Sequence, residues 1–519
     1  MTLPRLPALP VLLTAMLAVL ALLAPARAPA EPADIQAAAR GVVRVVVIER
    51  DGEAVSPVSH GTGFAVAPER VVTNAHVVRQ ALDDPSLVLG IVPSDGENAV
   101  YARVVAVSSR NDLAILATTA PLHLPPLTIA GNPVEGAGAV VAVGYPMNVD
   151  RAQGLSISDI FRAQPPVTST GFLSGRRPSR DFDSLLHTAP IARGNSGGPL
   201  LDDCGRVIGV NSFGAESGNA DAEFFFAVST RELLPFLRAN GVTAQVNGLP
   251  CRSMAELDAA EREEAEREQI AARSRRQEDA ADRARRAEQA RRSATFAVLE
   301  ERDNGMALAG LLLVVTLGAG GLAIALLDRP RRLGAMAAGA VASLALLGAG
   351  AAWMLRPGFE RIEERVEDSL LRRTATGRPG AGVAAGGALV CVLDPQRSRV
   401  TGAPAEDLPL HWSEDGCVNG RTQYALSDGE WSRILVPSDE AAVSVNSFDP
   451  QTGEYRVERY LLGSEAMARA RSARADYQAP ACGEGPDAAR ALGISQQAVR
   501  ASLPASPNER LVYRCTKAP

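Results

Sequence analysis

Three side chains in the first half of the chain have the types needed for nucleophilic acyl transfer: His76, Asp112 and Ser196. A serine hydroxyl is a poor nucleophile until a neighbouring imidazole takes its proton. The imidazole in turn needs a carboxylate to hold its tautomer and stabilise its cation. Each of the three sits in a short segment of distinct character. Gly61-Thr62-Gly63-Phe64 precedes Val72-Thr73-Asn74-Ala75-His76-Val77-Val78. Arg110-Asn111-Asp112-Leu113-Ala114-Ile115-Leu116 follows, and Gly194-Asn195-Ser196-Gly197-Gly198-Pro199-Leu200 comes last. Glycines flanking Ser196 let the backbone turn tightly, so that the N–H groups of Gly194 and Ser196 can point at one oxyanion. Removing one such donor typically costs on the order of 100- to 1000-fold in rate. The other histidines, His60, His123, His187 and His411, are read as structural.

These segments lie in a stretch, residues 34–240, that is built from short β-branched runs with Gly, Pro and Asn between them. Val42 to Ile48, Val100 to Val107, Ala139 to Val143 and Val207 to Val210 are examples. Many short strands separated by turn residues predict a sandwich or barrel. A helix is expected to close the stretch at Arg231–Ala239.

In type, order and approximate spacing, the TNAHVV, NDLAIL and GNSGGPL segments resemble the trypsin/chymotrypsin superfamily of serine proteases, in particular its HtrA-like bacterial branch. The resemblance covers residues 38–238, about 200 of the 519. It implies an all-β double β-barrel with the site between the barrels. By motif position His76 would be the general base, Asp112 its orienter and Ser196 the nucleophile, with Gly194 and Ser196 forming the oxyanion hole. Asn195 stands where digestive relatives carry an Asp that pairs with a freshly cut N-terminus; an amide cannot form that ion pair, so activation by N-terminal processing is not expected. In the family the specificity pocket is lined by residues just before the nucleophile and by a later strand. Here these positions are Ala189, Pro190 and Ile191, then Ser212, Phe213 and Gly214, with Phe226-Ala227-Val228 nearby. None is a carboxylate, which predicts small or medium apolar residues on the acyl side of the cut bond. No PDZ domain follows the protease part, so PDZ-gated activation and cage assembly are not carried over. A catalytically silent protease fold that binds or senses at the cell envelope is the alternative reading.

The rest of the chain points to an exported, membrane-held protein. Leu6 to Leu23 is an apolar run after Arg5, and Ala28-Pro29-Ala30 has the small-x-small pattern of a signal-peptidase site, making 1–30 a signal peptide. Residues 252–303 are rich in Ala, Glu and Arg, with acid-first i,i+4 pairs such as Glu263–Arg267, Asp279–Arg283, Asp282–Arg286 and Glu288–Arg292. They predict a long solvated helix of about 75 Å, with too few large apolar residues for a strong coiled-coil seam. Residues 306–327 and 333–355 are uncharged and long enough to cross a hydrocarbon layer of about 30 Å. The loop between them carries Arg329, Arg331 and Arg332, which places it in the cytoplasm and both flanks outside. Ala335, Gly339 and Ser343 form a small-xxx-small face.

Residues 388–519 are expected to be a second exported, β-rich domain, with Cys391, Cys417, Cys482 and Cys515 in disulfides of undetermined pairing. Cys204 and Cys251 are the only cysteines of the protease part, and their pairing would staple the second barrel to the chain that follows. The protein is thus expected at a bacterial inner membrane, with its protease and C-terminal parts in the periplasm and proteins or peptides as substrates. A homo-oligomer is left open. A net charge of -6 argues against a nucleic-acid partner. No CxxC or similar spacing predicts a metal, and no cofactor is implied.

Overall fold

In the computed structural model, residues 32–52, 54–96, 99–132, 138–178, 182–214, 224–327, 332–374, 386–403, 405–427 and 429–518 are described. The leader read at 1–30 and most of the arginine-rich loop lie outside them. Helix α1 (Pro32–Ala39) leads into β1 (Val42–Asp51), β2 (Ala54–Ala67), β3 (Arg70–Thr73), helix α2 (Ala75–Asp83), β4 (Leu87–Val92), β5 (Val100–Ser108) and β6 (Leu113–Thr118). These six strands close as β1-β2-β3-β6-β5-β4. Strand β7 (Ile129–Ala130) follows, then β8 (Ala139–Gly144), helices α3 (Met147–Ala152) and α4 (Ile157–Ile160), β9 (Val167–Pro178), β10 (Asp183–His187), β11 (Pro199–Leu201), β12 (Val207–Gly214), β13 (Phe225–Ser229) and helix α5 (Thr230–Ala239). Strands β11-β8-β9-β10-β13-β12 run in sequence, and β12 pairs back onto β11, so a second ring closes.

The period of two along a strand explains why the runs look continuously apolar. Val43, Val45, Ala65, Val71, Ala114 and Leu116 fill the first barrel. Their neighbours Val42, Phe64, Val72, Leu113 and Ile115 point the other way and meet Val141, Val143, Leu201, Val210 and Val228 of the second barrel. Successive side chains alternate faces, and here both faces are buried. A buried apolar seam therefore joins the barrels along the line where the site sits.

After β14 (Val246–Asn247) the chain enters one uninterrupted helix, α6 (Met254–Leu327). The stalk expected at 252–303 and the span expected at 306–327 are thus a single element of 74 residues, starting at 254. A reciprocal cap starts it: Glu256 N–H donates to Ser253 Oγ and Ser253 N–H to the Glu256 carboxylate, at 3.1 and 3.0 Å. Of the expected charge pairs, Glu288–Arg292 forms at 3.0 Å. Asp282 pairs with Arg285 instead of Arg286. Arg267 and Arg283 donate to the backbone carbonyls of Glu263 and Asp279.

Helix α7 (Arg332–Met354) and helix α8 (Arg361–Thr374) follow. The apolar end of α6 and the whole of α7 are long and apolar enough to cross a membrane. Leu317 is 76% and Leu333 89% exposed; hydrocarbon is the solvent in which a row of such side chains carries no penalty. Ala335, Ala345 and Ala349 are the buried residues of α7, and Leu312 lies against Gly348. The small residues buried within the chain are thus Ala335, Ala345 and Ala349. At one end of the hairpin Glu301 pairs with Arg365 at 3.0 Å, and Arg302 and Arg356 stack over Phe359 and Trp353.

The C-terminal part comprises β15 (Gly387–Leu393), β16 (Leu408–Trp412), β17 (Cys417–Val418), β18 (Thr422–Gln423), β19 (Ala425–Ser427), β20 (Glu430–Leu435), β21 (Ala442–Asp449), β22 (Glu454–Leu461), helices α9 (Ser464–Ala475) and α10 (Pro486–Ala501), and β23 (Glu509–Lys517). Its nine strands make one sheet ordered β18-β17-β16-β15-β23-β22-β21-β20-β19. Disulfides join Cys391 to Cys515 and Cys417 to Cys482, while Cys204 pairs with Cys251.

This sheet forms one compact unit with the barrels. The buried Arg399 donates to the Asp34 carboxylate of α1 and to the Arg252 carbonyl. Asn508 also donates to Asp34, at 2.8 Å. Asn247 donates to the carbonyls of Val400 and Gly402. Removing one partner of a buried ion pair leaves the other charge uncompensated, typically at about 3–5 kcal/mol. Arg399→Ala is expected to lower the unfolding free energy of the full-length protein by about 3 kcal/mol, measured by chemical denaturation.

Candidate active site

His76 stands in the first turn of α2, directly after β3. The residue before that helix, Asn74, makes no side-chain cap. Its amide instead donates to the Asp112 carbonyl at 2.8 Å. That bond fixes a left-handed backbone at Asp112, φ 49°, a conformation that Asp tolerates better than most residues. The turn aims the Asp112 carboxylate back at His76. Nδ1 of His76 lies 3.0 and 2.9 Å from the two carboxylate oxygens, and the His76 amide donates to Oδ1 at 3.1 Å. With Nδ1–H donating to the carboxylate, Nε2 keeps its lone pair, and it takes no partner among the described residues.

Burial alone would push the Asp112 carboxyl up. Bonds from His76 and Ser212, with the charge of His76, outweigh it and hold the group below its ordinary 3.8. Ser212 donates to Oδ2 at 2.6 Å. Ser212, expected to line the specificity pocket, also bonds the triad residues: beside its hydroxyl bond to Asp112, its carbonyl accepts from Ser196 Oγ at 3.0 Å. His76 and Asp112 come from the first barrel, Ser196 and Ser212 from the second.

The loop before Ser196 is held from both sides. Gly194 has φ +102° and Gly197 φ +87°, and neither has room for a Cβ. Thr62 of β2 uses all its polar groups here. Its hydroxyl accepts from Tyr145 N–H at 3.0 Å and donates to the Gly194 carbonyl at 2.6 Å. Its amide donates to the Ser196 carbonyl at 2.9 Å, and its carbonyl accepts from Thr73 Oγ1 at 2.7 Å. The Arg193 carbonyl accepts from Met147 N–H at 2.7 Å. In a trans peptide the C=O and the next N–H point opposite ways. Anchoring the Arg193 carbonyl therefore turns the Gly194 N–H away from Met147. Among the described residues neither the Gly194 nor the Ser196 N–H has an acceptor.

Of the other residues read as pocket-lining, Pro190 is exposed, Ile191 is half-buried and Ala189 is buried. Phe213 is 47% exposed and stacks on Phe226 at 4.8 Å between ring centroids; Gly214, next on the strand, is also exposed. His187 is buried, and burial pushes its imidazole down to about 4, so it is neutral at ordinary pH. The bonds made by Ser212, Thr62 and Asn74 join residues far apart in the chain. The only local sign of them was the polar spacing inside otherwise apolar strand segments.

A model of a trypsin-like peptidase domain matches residues 61–210. The serine protease Rv3671c of Mycobacterium tuberculosis (strain H37Rv) is 34% identical over 207 residues, which are 38% of this chain and 46% of that protein. The mitochondrial serine protease HTRA2 of Bos taurus is 35% identical over 191 residues, 35% of this chain and 36% of that one. A probable periplasmic serine endoprotease, DegP-like, of Brucella suis is 34% identical over 179 residues, 34% and 32%. The crystal structure of the Rv3671c protease from M. tuberculosis in its active form aligns with 43% of this chain and 91% of that one, at 28% identity and a TM-score of 0.32. The chain spans a third to a half of the length of these curated relatives. The matched part of the chain is a trypsin-like peptidase domain. More particularly, the relatives it resembles are serine proteases, one of them described as DegP-like.

Two outcomes follow from the site's geometry. A Cβ at Gly197 would stand 2.2 Å from the Thr62 carbonyl oxygen and from Thr73 Oγ1; Gly197→Ala is expected to destabilise the fold by at least about 1 kcal/mol, the usual cost of a left-handed non-glycine residue, read from its denaturation midpoint. Because the Asp112 carboxyl is depressed, its stabilising contribution is present above its unfolded pKa and is lost as pH falls through the folded value. The melting-temperature difference between the parent and Asp112→Asn is expected to shrink below pH 3.8.

Proposed function

We propose that the protein is a membrane-tethered serine endopeptidase in which His76, Asp112 and Ser196 act as a catalytic triad. The observation that carries this reading is the doubly bonded His76–Asp112 pair, with Nε2 left without a partner among the described residues. When substrate enters, the Ser196 hydroxyl turns from the Ser212 carbonyl towards Nε2. His76 takes its proton as Oγ attacks the scissile carbonyl, and Asp112 stabilises the imidazolium. The Gly194 and Ser196 N–H groups receive the developing oxyanion. His76 then gives its proton to the leaving amine, and water repeats the sequence on the acyl-enzyme. Pro190, Ile191, Ser212, Phe213 and Gly214 line the pocket for the acyl-side residue, with small or medium apolar side chains preferred.

Support for the cellular setting comes from the apolar hairpin and from the arginines at 329, 331 and 332, which favour a cytoplasmic loop. The barrels and the C-terminal sheet then lie in the periplasm of a bacterium, anchored in its inner membrane. A relative described as a probable periplasmic endoprotease fits that placement.

The test is a fluorophosphonate probe on the full-length protein in membranes. Labelling is expected in the parent and absent in Ser196→Ala, with protein hydrolysis falling by about 10⁴-fold or more. A parent that stays unlabelled in membranes overturns the reading. A peptide-library profile dominated by Arg or Glu on the acyl side overturns the proposed specificity.

A further inference from the structure

Behind the loop that carries Ser196 lies a buried charged cluster with no part in the triad. Arg44 of β1, 1% exposed, donates to Asp150 Oδ1 at 3.0 Å and to the Ile160 carbonyl at 3.1 Å. Its guanidinium stacks over the Tyr145 ring at 4.6 Å. Nε2–H of His60, on β2, donates to the Tyr145 carbonyl at 3.2 Å. Asp150 Oδ2 lies 3.2 Å from the same nitrogen. Tyr145 in turn donates from its hydroxyl to the Gln164 carbonyl at 2.9 Å.

The cluster touches the site through two atoms. A Cβ on Gly194 would stand 2.2 Å from the Tyr145 carbonyl oxygen and 3.2 Å from His60 Nε2, so the loop lies flush against them. Met147, whose N–H holds the Arg193 carbonyl, sits between Tyr145 and Asp150 at the start of α3. Tyr145 and Asp150, which flank it, are both fixed by Arg44 and His60 of the first barrel. Burying an ion pair is weak evidence for stability, because apolar residues of similar size often do as well or better. What a bonded cluster supplies that apolar packing does not is a fixed direction for each group.

We propose that Arg44, Asp150 and His60 are positioning residues for the oxyanion hole: they hold the 145–150 segment so that Met147 anchors the Arg193 carbonyl and the Gly194 N–H faces the site. The inference rests on Ser196 being the nucleophile. Interactions realised only in the transition state lower kcat when lost and leave KM unchanged. The cluster therefore acts on kcat.

The experiment uses full-length protein in detergent with Asp150→Asn, His60→Ala and His60→Gln. Fluorophosphonate titration counts competent sites, and kcat and KM for a peptide substrate are then expressed per titrated site. Asp150→Asn and His60→Ala are expected to lower kcat by about 10- to 100-fold, short of the full loss of a donor, with KM within about two-fold. The Ki of a peptide boronate, whose oxygen occupies the hole, is expected to rise in step. His60→Gln, whose amide can donate to the Tyr145 carbonyl, is expected to recover most of the activity. If both disruptive variants keep parental kcat per titrated site and lose only melting temperature or the number of sites, the proposal is overturned. A rise in KM at unchanged kcat overturns it equally. Should Asp150→Asn not fold, the His60→Ala and His60→Gln pair decides by the same readouts. An unlabelled parent overturns the triad reading itself, and this inference with it.

Discussion

Thr62 is the residue on which the geometry of the site depends. The two barrels meet along an apolar seam, and apolar contact is non-directional; it can hold the barrels together without fixing their register. Hydrogen bonds supply the direction. Thr62 belongs to the barrel that carries His76 and Asp112, and its amide and hydroxyl bind the loop that carries Ser196. The same hydroxyl binds Tyr145. A buried polar group left unpaired costs about 1–3 kcal/mol, so any slip between the barrels would break several such bonds at once. The Asp112–Ser212 bond is a second tie of the same kind.

What was legible in the sequence is what is local. His76, Asp112 and Ser196 stand in segments whose glycines, asparagine and apolar runs already describe a turn, a strand and a tight loop. The Val42–Ile48 run is expected to be a strand and lies within β1. Helix α5 lies within one residue of its expected start. Bonds between distant residues were not legible. Ser212 and Asp112 are 100 residues apart, and nothing near either one indicates the other. The bond from Ser212 to Asp112 is therefore visible only in the fold. His60 reads as an isolated histidine until Tyr145 and Asp150 are folded beside it. Ala and Gly occur all round α7, and which of them is buried within the chain is selected only by the neighbouring apolar span.

The relation between the barrels and the C-terminal sheet lay furthest from sequence reading. The two regions are separated in the chain by the charged helix and the apolar hairpin, and they read as independent domains. In the structure Asp34 receives bonds from Arg399 and Asn508, across 365 and 474 residues. The Cys204–Cys251 disulfide lies at the same junction, with Arg399 beside its sulfur. A buried carboxylate near the start of the described chain and a buried guanidinium beyond the hairpin each satisfy a charge that the other part of the chain would otherwise leave unpaired.

The hairpin is thus an excursion between two segments that already belong to one body. Each disulfide closes within a single segment, Cys204 to Cys251 before the excursion and the other two pairs after it. A cut in the charged helix would therefore not separate the sheet from the barrels. The body of barrels and sheet would persist as a nicked, two-chain particle held by Asp34, Arg399 and the bonds around them. Its release from the apolar hairpin and its dissociation into parts would be distinct events, governed by different bonds.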